Sequence, residues 1–474
     1  MKGYREMSNG TFRNNPLLNT DSYKASHYLQ YPPETMYISS YIESRGGRWN
    51  RTLFFGLQMF IRQYMMQPFT MEDIDEAEEM WTAHGEPFNR EGFEYILRVH
   101  GGYFPVKIEA VEEGTILPTH NVLVQVVNTD PAVPWVTSFL ETALLRAVWY
   151  PTTVATNSYM CKKIIWNSLV RTSDNPAGQI SFKLHDFGAR GVSSRESAGI
   201  GGAAHLVNFM GTDTMEATRT VREFYNDPMA GFSIPASEHS TITCWGGPDF
   251  EIQAFENMID QFGGPGKIVA CVSDSYNIWE AVNKWKHLEP KIVEKGMTLV
   301  VRPDSGNPVQ VVSDLIEKLM QAFGYITNSK GFKVLPNHIR VIQGDGVEEK
   351  SIGDILVEME SRHLSADNVS FGMGGHMLQH FDRDVLKFAM KASAIKRAGR
   401  GWEDVYKDPI TDPGKKSKRG ILRLEHNPDF DTWDTERVDN AIYTNQLKVV
   451  YRNGMDYTLV SFDDIRNRAG KEFK

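Results

Sequence analysis

The stretch VVRPDSGNP (residues 300–308) sets Arg302 and Asp304 two positions apart at the end of an apolar run. On a strand, that spacing puts both side chains on the same side. A guanidinium grips phosphate oxygens through two parallel hydrogen bonds, and a carboxylate takes sugar hydroxyls or reaches magnesium through water. Ser305 and Gly306 follow as a turn with free backbone N–H groups. The combination suits a sugar phosphate. The plainer alternative is an Arg–Asp pair that closes a strand end. VIQGDGV (341–347) and FGMGGHM (371–377) repeat the theme. Gly344, Gly374 and Gly375 would let a phosphate approach the backbone, and Asp345 would hold a hydroxyl. Asp274, in VSDSY, belongs to the same set. SEHST (237–241) puts His239 beside Glu238. Histidine can accept a proton or a phosphoryl group near neutral pH, although a single histidine is more often structural.

Two other patterns point elsewhere and fail on context. KLHDFGARG (183–191) contains Asp186-Phe187-Gly188, the tripeptide in which a protein kinase holds magnesium. The glycine-rich loop, the Val-Ala-Ile-Lys strand and the His-Arg-Asp loop that a kinase needs upstream are absent. GIGGAA (199–204) fits the dinucleotide fingerprint, but GVSSRES before it is no buried strand. A glycine-rich turn or a tightly packed helix is expected there. DPGKKSKRG (412–420) carries Lys415, Lys416, Lys418 and Arg419, either as solvated surface or as a flap over a polyphosphate.

The elements that must position these groups follow a rhythm. The β-rich runs ISFKLHDFG, AHLVNFMGTD, KIVACVSDS, TLVVRPDSG, IRVIQGDG and NVSFGMGG end at Asp186, Asp213, Asp274, Asp304, Asp345 and Gly372. With His239 counted, successive markers lie 26 to 41 residues apart, about one β-α-β unit each. Residues 250–262 and 311–323 have apolar positions at helical spacing. Apolar strands alternating with helices imply a parallel sheet covered on both faces. Polar residues at the strand C-termini make a closed β/α barrel the natural expectation, and an open doubly wound sheet the alternative. Residues 100–130 alternate apolar and polar, as antiparallel strands do, and 136–170 read as helical. After about residue 390 the chain is basic and rich in turns. The expected α/β organisation is a barrel over 156–389 beside a second α+β domain built from 1–155 with 390–474.

The chain has 474 residues, too many for one ordinary core. It carries 51 Lys and Arg against 60 Asp and Glu, a net charge of −9, which argues against a broad nucleic-acid surface. Cys161, Cys244 and Cys271 are far apart and odd in number, so a reduced cytoplasmic setting fits better than a disulfide framework or structural zinc site. The polar start MKGYREMSNGTFRNN does not read as a signal peptide, and no long apolar run suggests a membrane span.

Taken together, these residues resemble the nicotinamide phosphoribosyltransferase family. The carriers are NPLLNTDSYKASHYLQYPP (15–33), HDFGARGVSSRESAGIGGAAHLVNFMGTDT (185–214), PASEHSTIT (235–243), SDSYN (273–277), RPDSGNP (302–308), RVIQGDGV (340–347) and FGMGG (371–375), with DPGKKSKRG and YTLVSFDDIR (457–466). They cover nearly the whole chain in order. The type I signature, an Asp-Asp pair before a Thr-Gly-rich loop, is absent, in keeping with the barrel-based type II class.

The resemblance implies synthesis of nicotinamide mononucleotide from nicotinamide and phosphoribosyl pyrophosphate (PRPP) by a cytoplasmic homodimer with its active sites at the subunit interface. It implies Mg²⁺ with PRPP, and ATP as an optional coupled substrate that phosphorylates His239. Phe187 and the partner's Tyr23 would sandwich the pyridine ring, and Asp213 would accept a hydrogen bond from the carboxamide. Arg190 would lie beside the ring and the diphosphate. Arg302, Asp304, Gly344, Asp345, Gly374 and Gly375 would hold the phosphoribosyl group, with Asp274 in the polar floor. Arg383, Lys391, Arg45 and the lysines at 415 and 416 would add phosphate contacts, partly across the dimer. Two departures stand out. Ala189 replaces the family's frequent tyrosine, and GGRWN after Arg45 lacks its lysines, which leaves Arg48 as a candidate. Nicotinate phosphoribosyltransferase, a barrel lyase or isomerase, and a non-catalytic protein that binds at its dimer surface are the alternatives.

Overall fold

Short apolar strands dominate the centre of the chain because they are buried on both faces. The computed structural model describes residues 14–458 and 460–473. Six strands form one parallel sheet, in the order Gly211–Thr212, Leu184–Asp186, Val369–Met373, Ile339–Gln343, Thr298–Arg302 and Ile268–Val272. Side chains alternate between its faces. Val269, Cys271, Leu299, Val301, Ile339 and Val341 pack outward in one large core with the helices. Ala270, Val300 and Ile342 point the other way and form a small inner cluster with Phe187 and Ile234. The sheet is curled. Between its two edges runs an extended segment: Phe232 bridges Gly211 and Ala236 bridges Ala270, both in parallel sense.

The connecting helices include Arg195–Leu206, Met215–Tyr225, Glu251–Phe262, Ile278–Lys295, Pro308–Phe323 and Glu349–Ser361. Two of them match the helical spacing at 250–262 and 311–323. The glycine-rich GIGGAA lies inside Arg195–Leu206 as packing surface. A β-carbon on Gly199 would fall 2.5 Å from the Thr220 hydroxyl, and one on Gly202 would fall 2.5 Å from the Ala217 β-carbon. These glycines serve close approach to Met215–Tyr225, not a dinucleotide.

A second, antiparallel sheet orders its strands Trp402–Asp404, Phe388–Arg397, Thr35–Ser44, Val122–Asn128, Val106–Ala110, Lys448–Arg452 and Met455–Asp456. It therefore takes strands from both ends of the chain. The helix Glu141–Thr172 crosses the expected boundary at residue 155. Its Leu144 and Val148 sit in the core of the antiparallel sheet, and its Ile165 and Leu169 in that of the parallel sheet. The C-terminal helix Phe462–Ala469 buries Phe462 and Ile465 against the parallel-sheet core, although its sequence lies in the C-terminal flank.

Candidate active site

The site is built where the parallel strands end. Asp186 is fully buried at the end of its strand. Its carboxylate accepts from the Gly188 N–H at 2.7 Å and from the Thr212 hydroxyl at 3.3 Å. Burial pushes its pKa up to about 6. Asp186 thus ties the turn that carries Phe187 instead of facing a ligand. The Phe187 N–H donates to the Met373 carbonyl at 2.9 Å. The phenyl ring lies on Gly372, where a β-carbon would fall 1.9 Å from ring atom Cε2. A β-carbon on Gly344 would stand 3.4 Å from the same ring atom.

Asp213 follows the two-residue strand Gly211–Thr212. Its N–H donates to the Asp186 carbonyl at 3.0 Å. Its carboxylate accepts from the Ser233 hydroxyl at 2.5 Å. Ser233 lies in the segment that bridges the sheet edges. Sequence reasoning missed it because GFSIP has no motif, and its only signal is its place two residues before PASEHST.

Across the rim, Val300 faces inward, so Arg302 two residues later faces the same way. Arg302 donates through Nη2 to Asp304 at 3.0 Å, and its Nε is buried without a hydrogen-bond partner among the described residues. The pair that could merely close a strand end therefore keeps a donor in reserve. Asp274 accepts from the Asp304 N–H at 2.9 Å and the Ser305 hydroxyl at 2.5 Å. Its other oxygen, Oδ1, is buried and makes no hydrogen bond among the described residues. His239 opens the helix His239–Thr243, with Nδ1 at 3.0 Å from the Ser275 hydroxyl. Its Nε2 stands 3.4 Å from Asp304 and 3.8 Å from Asp274. Ser275, between SD and YN, is another residue that sequence reasoning passed over.

The remaining turns lean on this group. A β-carbon on Gly344 would meet Asp304 at 3.5 Å. Gln343 donates to the Asp345 carbonyl at 2.7 Å, and Gly346 adopts a φ of +65°, which makes the tight turn that exposes Asp345. Gly191 approaches Gly375 so closely that a β-carbon on it would lie 3.2 Å from the Gly375 Cα. Leu378 packs beneath Gly188, and Tyr150 holds the Leu378 carbonyl at 2.8 Å. Arg190 is exposed on the turn Ala189–Gly191. Phe187, Asp213, His239, Asp274, Arg302, Asp304, Gly344, Asp345, Gly374 and Gly375 are thereby gathered around one rim.

Of the other expected residues, Lys391 lies on the antiparallel strand Phe388–Arg397 and Arg45 directly follows Thr35–Ser44, while Tyr23, Arg383 and Lys415 lie on short helical turns. Lys391 stands opposite Tyr41 in the ladder between Phe388–Arg397 and Thr35–Ser44. Burial lowers its pKa; Glu141 opposes this, while Arg45, Lys24 and Lys407 reinforce it. Lys407 was not singled out from the sequence. Arg45 and Lys418 share the buried Glu43, at 2.9 and 3.0 Å. Lys415 pairs with Asp412 at 3.0 Å, Lys416 with Asp408 at 2.9 Å, and Arg383 with Asp384 at 3.1 Å. Tyr23 is 53% exposed and meets His27 edge to face at 5.1 Å. Among the described residues, no hydrogen bond or ion pair joins Tyr23, Arg45, Lys391 or Lys415 to Phe187, His239 or Arg302 in the same chain. Arg48 comes nearer the rim, paired at 2.9 Å with Glu349, which begins the helix after the Asp345 turn.

The model of the nicotinate phosphoribosyltransferase (NAPRTase) family matches residues 182–455, which carry every parallel strand and all ten gathered residues. The chain belongs to the nicotinate phosphoribosyltransferase family. A second model, for the nicotinamide phosphoribosyltransferase N-terminal domain, matches residues 15–108. Within the family, the nicotinamide phosphoribosyltransferase of Xanthomonas campestris pv. campestris is 55% identical over 87% of this chain and 88% of its own length. That of Acinetobacter baylyi is 30% identical over 98% of this chain and 99% of its own. Two solved structures share the fold at low identity. The nicotinate-nucleotide pyrophosphorylase of Pyrococcus furiosus has a TM-score of 0.63 at 14% identity, covering 98% of this chain and 99% of that one. Human nicotinic acid phosphoribosyltransferase has 0.56 at 17%, covering 95% and 93%. Among the described residues of this family member, no helix is long and apolar enough to cross a membrane.

Proposed function

We propose that this phosphoribosyltransferase transfers the 5-phosphoribosyl group of PRPP to nicotinamide, giving nicotinamide mononucleotide and pyrophosphate. The observation that carries the reading is the Phe187 ring laid flat at the rim, with the Asp213 carboxylate on one side and the Arg302–Asp304 pair on the other. The pyridine nitrogen attacks C1 of the ribose as the C1–O bond to pyrophosphate breaks, and the bonding electrons leave with the pyrophosphate. No general base is needed, because the attacking nitrogen carries no proton. Stacking on Phe187 aligns that nitrogen, which is a proximity effect. Arg302, whose Nε lacks a partner, and Arg190 on the exposed turn are the cations assigned to the phosphate oxygens. Asp304 and Asp345 would take the ribose hydroxyls.

Asp213 favours amide over acid. A nicotinate carboxylate about 4 Å from it would be repelled by roughly 4 kcal/mol at an effective dielectric near 20. That is on the order of a thousandfold.

Among the described residues, no group of three or more His, Cys, Asp or Glu side chains could hold a metal by itself. Asp274 Oδ1, buried without a hydrogen bond among the described residues and 3.8 Å from His239 Nε2, does suit a hard cation that arrives on a diphosphate and keeps its waters. Mg²⁺ bound there would neutralise charge growing on the leaving group. His239, exposed and flanked by Ser275, Asp274 and Asp304, supports a phosphohistidine formed from ATP.

Among the described residues, no hydrogen bond or ion pair ties Lys391, Arg45, Lys415 or the exposed Tyr23 to Phe187, His239 or Arg302 of the same chain, which favours their use across a homodimer interface. The bridging segment at residues 232–236 supports reading the curled sheet as a closed barrel, with the antiparallel sheet as the core of a second domain. All three cysteines are free, in keeping with a cytoplasmic setting. The test is mononucleotide formation from PRPP with nicotinamide or nicotinate, with and without ATP. Faster turnover of nicotinate, or no pyrophosphate release with either base, would overturn the reading.

A further inference from the structure

Just beyond the Gly374–Gly375 turn, the chain places two histidines four residues apart, His376 and His380. Their rings meet edge to face with centroids 4.0 Å apart. His380 leans over the turn, since a β-carbon on Gly375 would lie 3.4 Å from its Nε2. His376 leans the other way, with Nε2 at 4.0 Å from Glu348, at the end of the turn that carries Gly344 and Asp345. The pair therefore spans the two glycine-rich turns assigned to the phosphoribosyl group. The proposed reaction does not use it.

The charged and titratable groups facing His376 are His380 from its own segment, Glu348 from the neighbouring turn, and Arg48 from the loop after Thr35–Ser44. Burial lowers the His376 pKa first; His380 and Arg48 add to this, while Glu348 opposes it. Arg48 is already paired with Glu349 at 2.9 Å. Half-buried, and with an imidazole and an arginine this close, His376 takes a proton less readily than a free imidazole. A phosphate monoester at Gly374–Gly375 would supply the missing negative charge. Its binding would then draw a proton onto His376.

We propose that His376 and His380 form part of the phosphate subsite, contacting the 5-phosphate of PRPP, with His376 as its proton-linked member. This rests on the PRPP-dependent reading above. It gives the chain a phosphate affinity that depends on pH near neutrality, which arginine and lysine contacts do not.

Two measurements test it on the full-length protein. The first is KM for PRPP against pH, between about 6 and about 8, for the native enzyme, His376→Gln/His380→Gln and the exposed single variant His380→Gln. The native KM should rise with pH, and the double variant should lose about threefold to fivefold of affinity at the acidic end only, the scale of one partly exposed ion pair. KM for nicotinamide should not follow. The second is calorimetry of PRPP binding, with Mg²⁺ and without nicotinamide, in two buffers of different ionisation heat. The native protein should take up protons, and the double variant fewer. Equal proton uptake, or parallel pH profiles of KM, would overturn the histidine assignment alone. Failure of the native protein to bind PRPP would overturn both this assignment and the proposed function.

Discussion

The Phe187 ring rests on the bare backbone of Gly372, so close that a β-carbon there would lie 1.9 Å from the ring. Gly372 lies on the strand Val369–Met373, and Phe187 directly follows the neighbouring parallel strand Leu184–Asp186, joined to it by the pairs Gly372–His185 and Met373–Asp186. An alanine at 372 must therefore push the ring off its seat. Overpacking of this kind costs about 1–3 kcal/mol. If the ring aligns the base, Gly372→Ala should lower kcat/KM for nicotinamide by about tenfold to a hundredfold. Steady-state kinetics on variant protein with a native circular dichroism spectrum checks this. A near-native kcat/KM would mean that the ring does not position the base.

The contact between Asp213 and Ser233 leads to a prediction about selectivity. Asp213→Ser removes the charge that opposes a nicotinate carboxylate. The ratio of kcat/KM for nicotinamide to that for nicotinate should fall by up to about a thousandfold. Ser233→Ala frees the Asp213 carboxylate from its 2.5 Å hydrogen bond, and should lower the ratio less. Competition between the two bases in one assay, read by product chromatography, measures the ratio directly. If Asp213→Ser leaves it unchanged, the carboxylate does not choose the substrate.

His239 is expected to carry the ATP effect. In His239→Asn, the ratio of rates with and without ATP should drop to one, and acid-labile phosphate from γ-labelled ATP should no longer appear on the protein. Ser275→Ala, which removes the hydroxyl 3.0 Å from Nδ1, should slow labelling because the imidazole loses its orientation. Persistent acid-labile label on His239→Asn would move the phosphorylation elsewhere.

Much of this was legible in the sequence, for identifiable reasons. Strands such as Thr298–Arg302 and Ile339–Gln343 are buried on both faces, so they appear as apolar runs that end at the rim residues Asp304 and Asp345. The helix Pro308–Phe323 announces itself by its periodicity. The strand Gly211–Thr212 has only two residues, and the bridging segment at residues 232–236 is held by single bridges and the loop hydrogen bonds beside them. Neither has a period long enough to read. Ser233 was missed for that reason. Lys407 was missed because it sits in an irregular stretch with no period of its own, and only the fold sets its charge, with those of Arg45 and Lys24 from far earlier in the chain, near Lys391. The kinase-like Asp-Phe-Gly could be dismissed from context, and the sequence reads Asp186 more readily as fixing the turn than as meeting a ligand, in agreement with its two hydrogen-bond donors.

The last prediction concerns stability. His205 is fully buried beneath the strand that leads to Asp213. Its Nε2 lies 3.2 Å from the Gly211 carbonyl and its Nδ1 3.0 Å from the Ser158 hydroxyl. The carbonyl can only accept, so Nε2 carries the proton and Nδ1 accepts from Ser158. Both nitrogens are satisfied by a neutral ring, and burial lowers the pKa to about 3. In the unfolded chain an imidazole titrates near 6.5. Between those values the unfolded state binds the extra proton, so stability falls as pH drops below about 6.5, and rises again with pH. The slope from this one group is about 1.4 kcal/mol per pH unit, until the folded pKa is reached. Urea unfolding at pH values from about 4.5 to about 7.5 should show that slope among its components. His205→Gln keeps a donor and an acceptor but cannot titrate, so its pH curve should be flatter by about one proton. Parallel curves for the two proteins would mean that His205 is charged, or exposed to water, in the folded state.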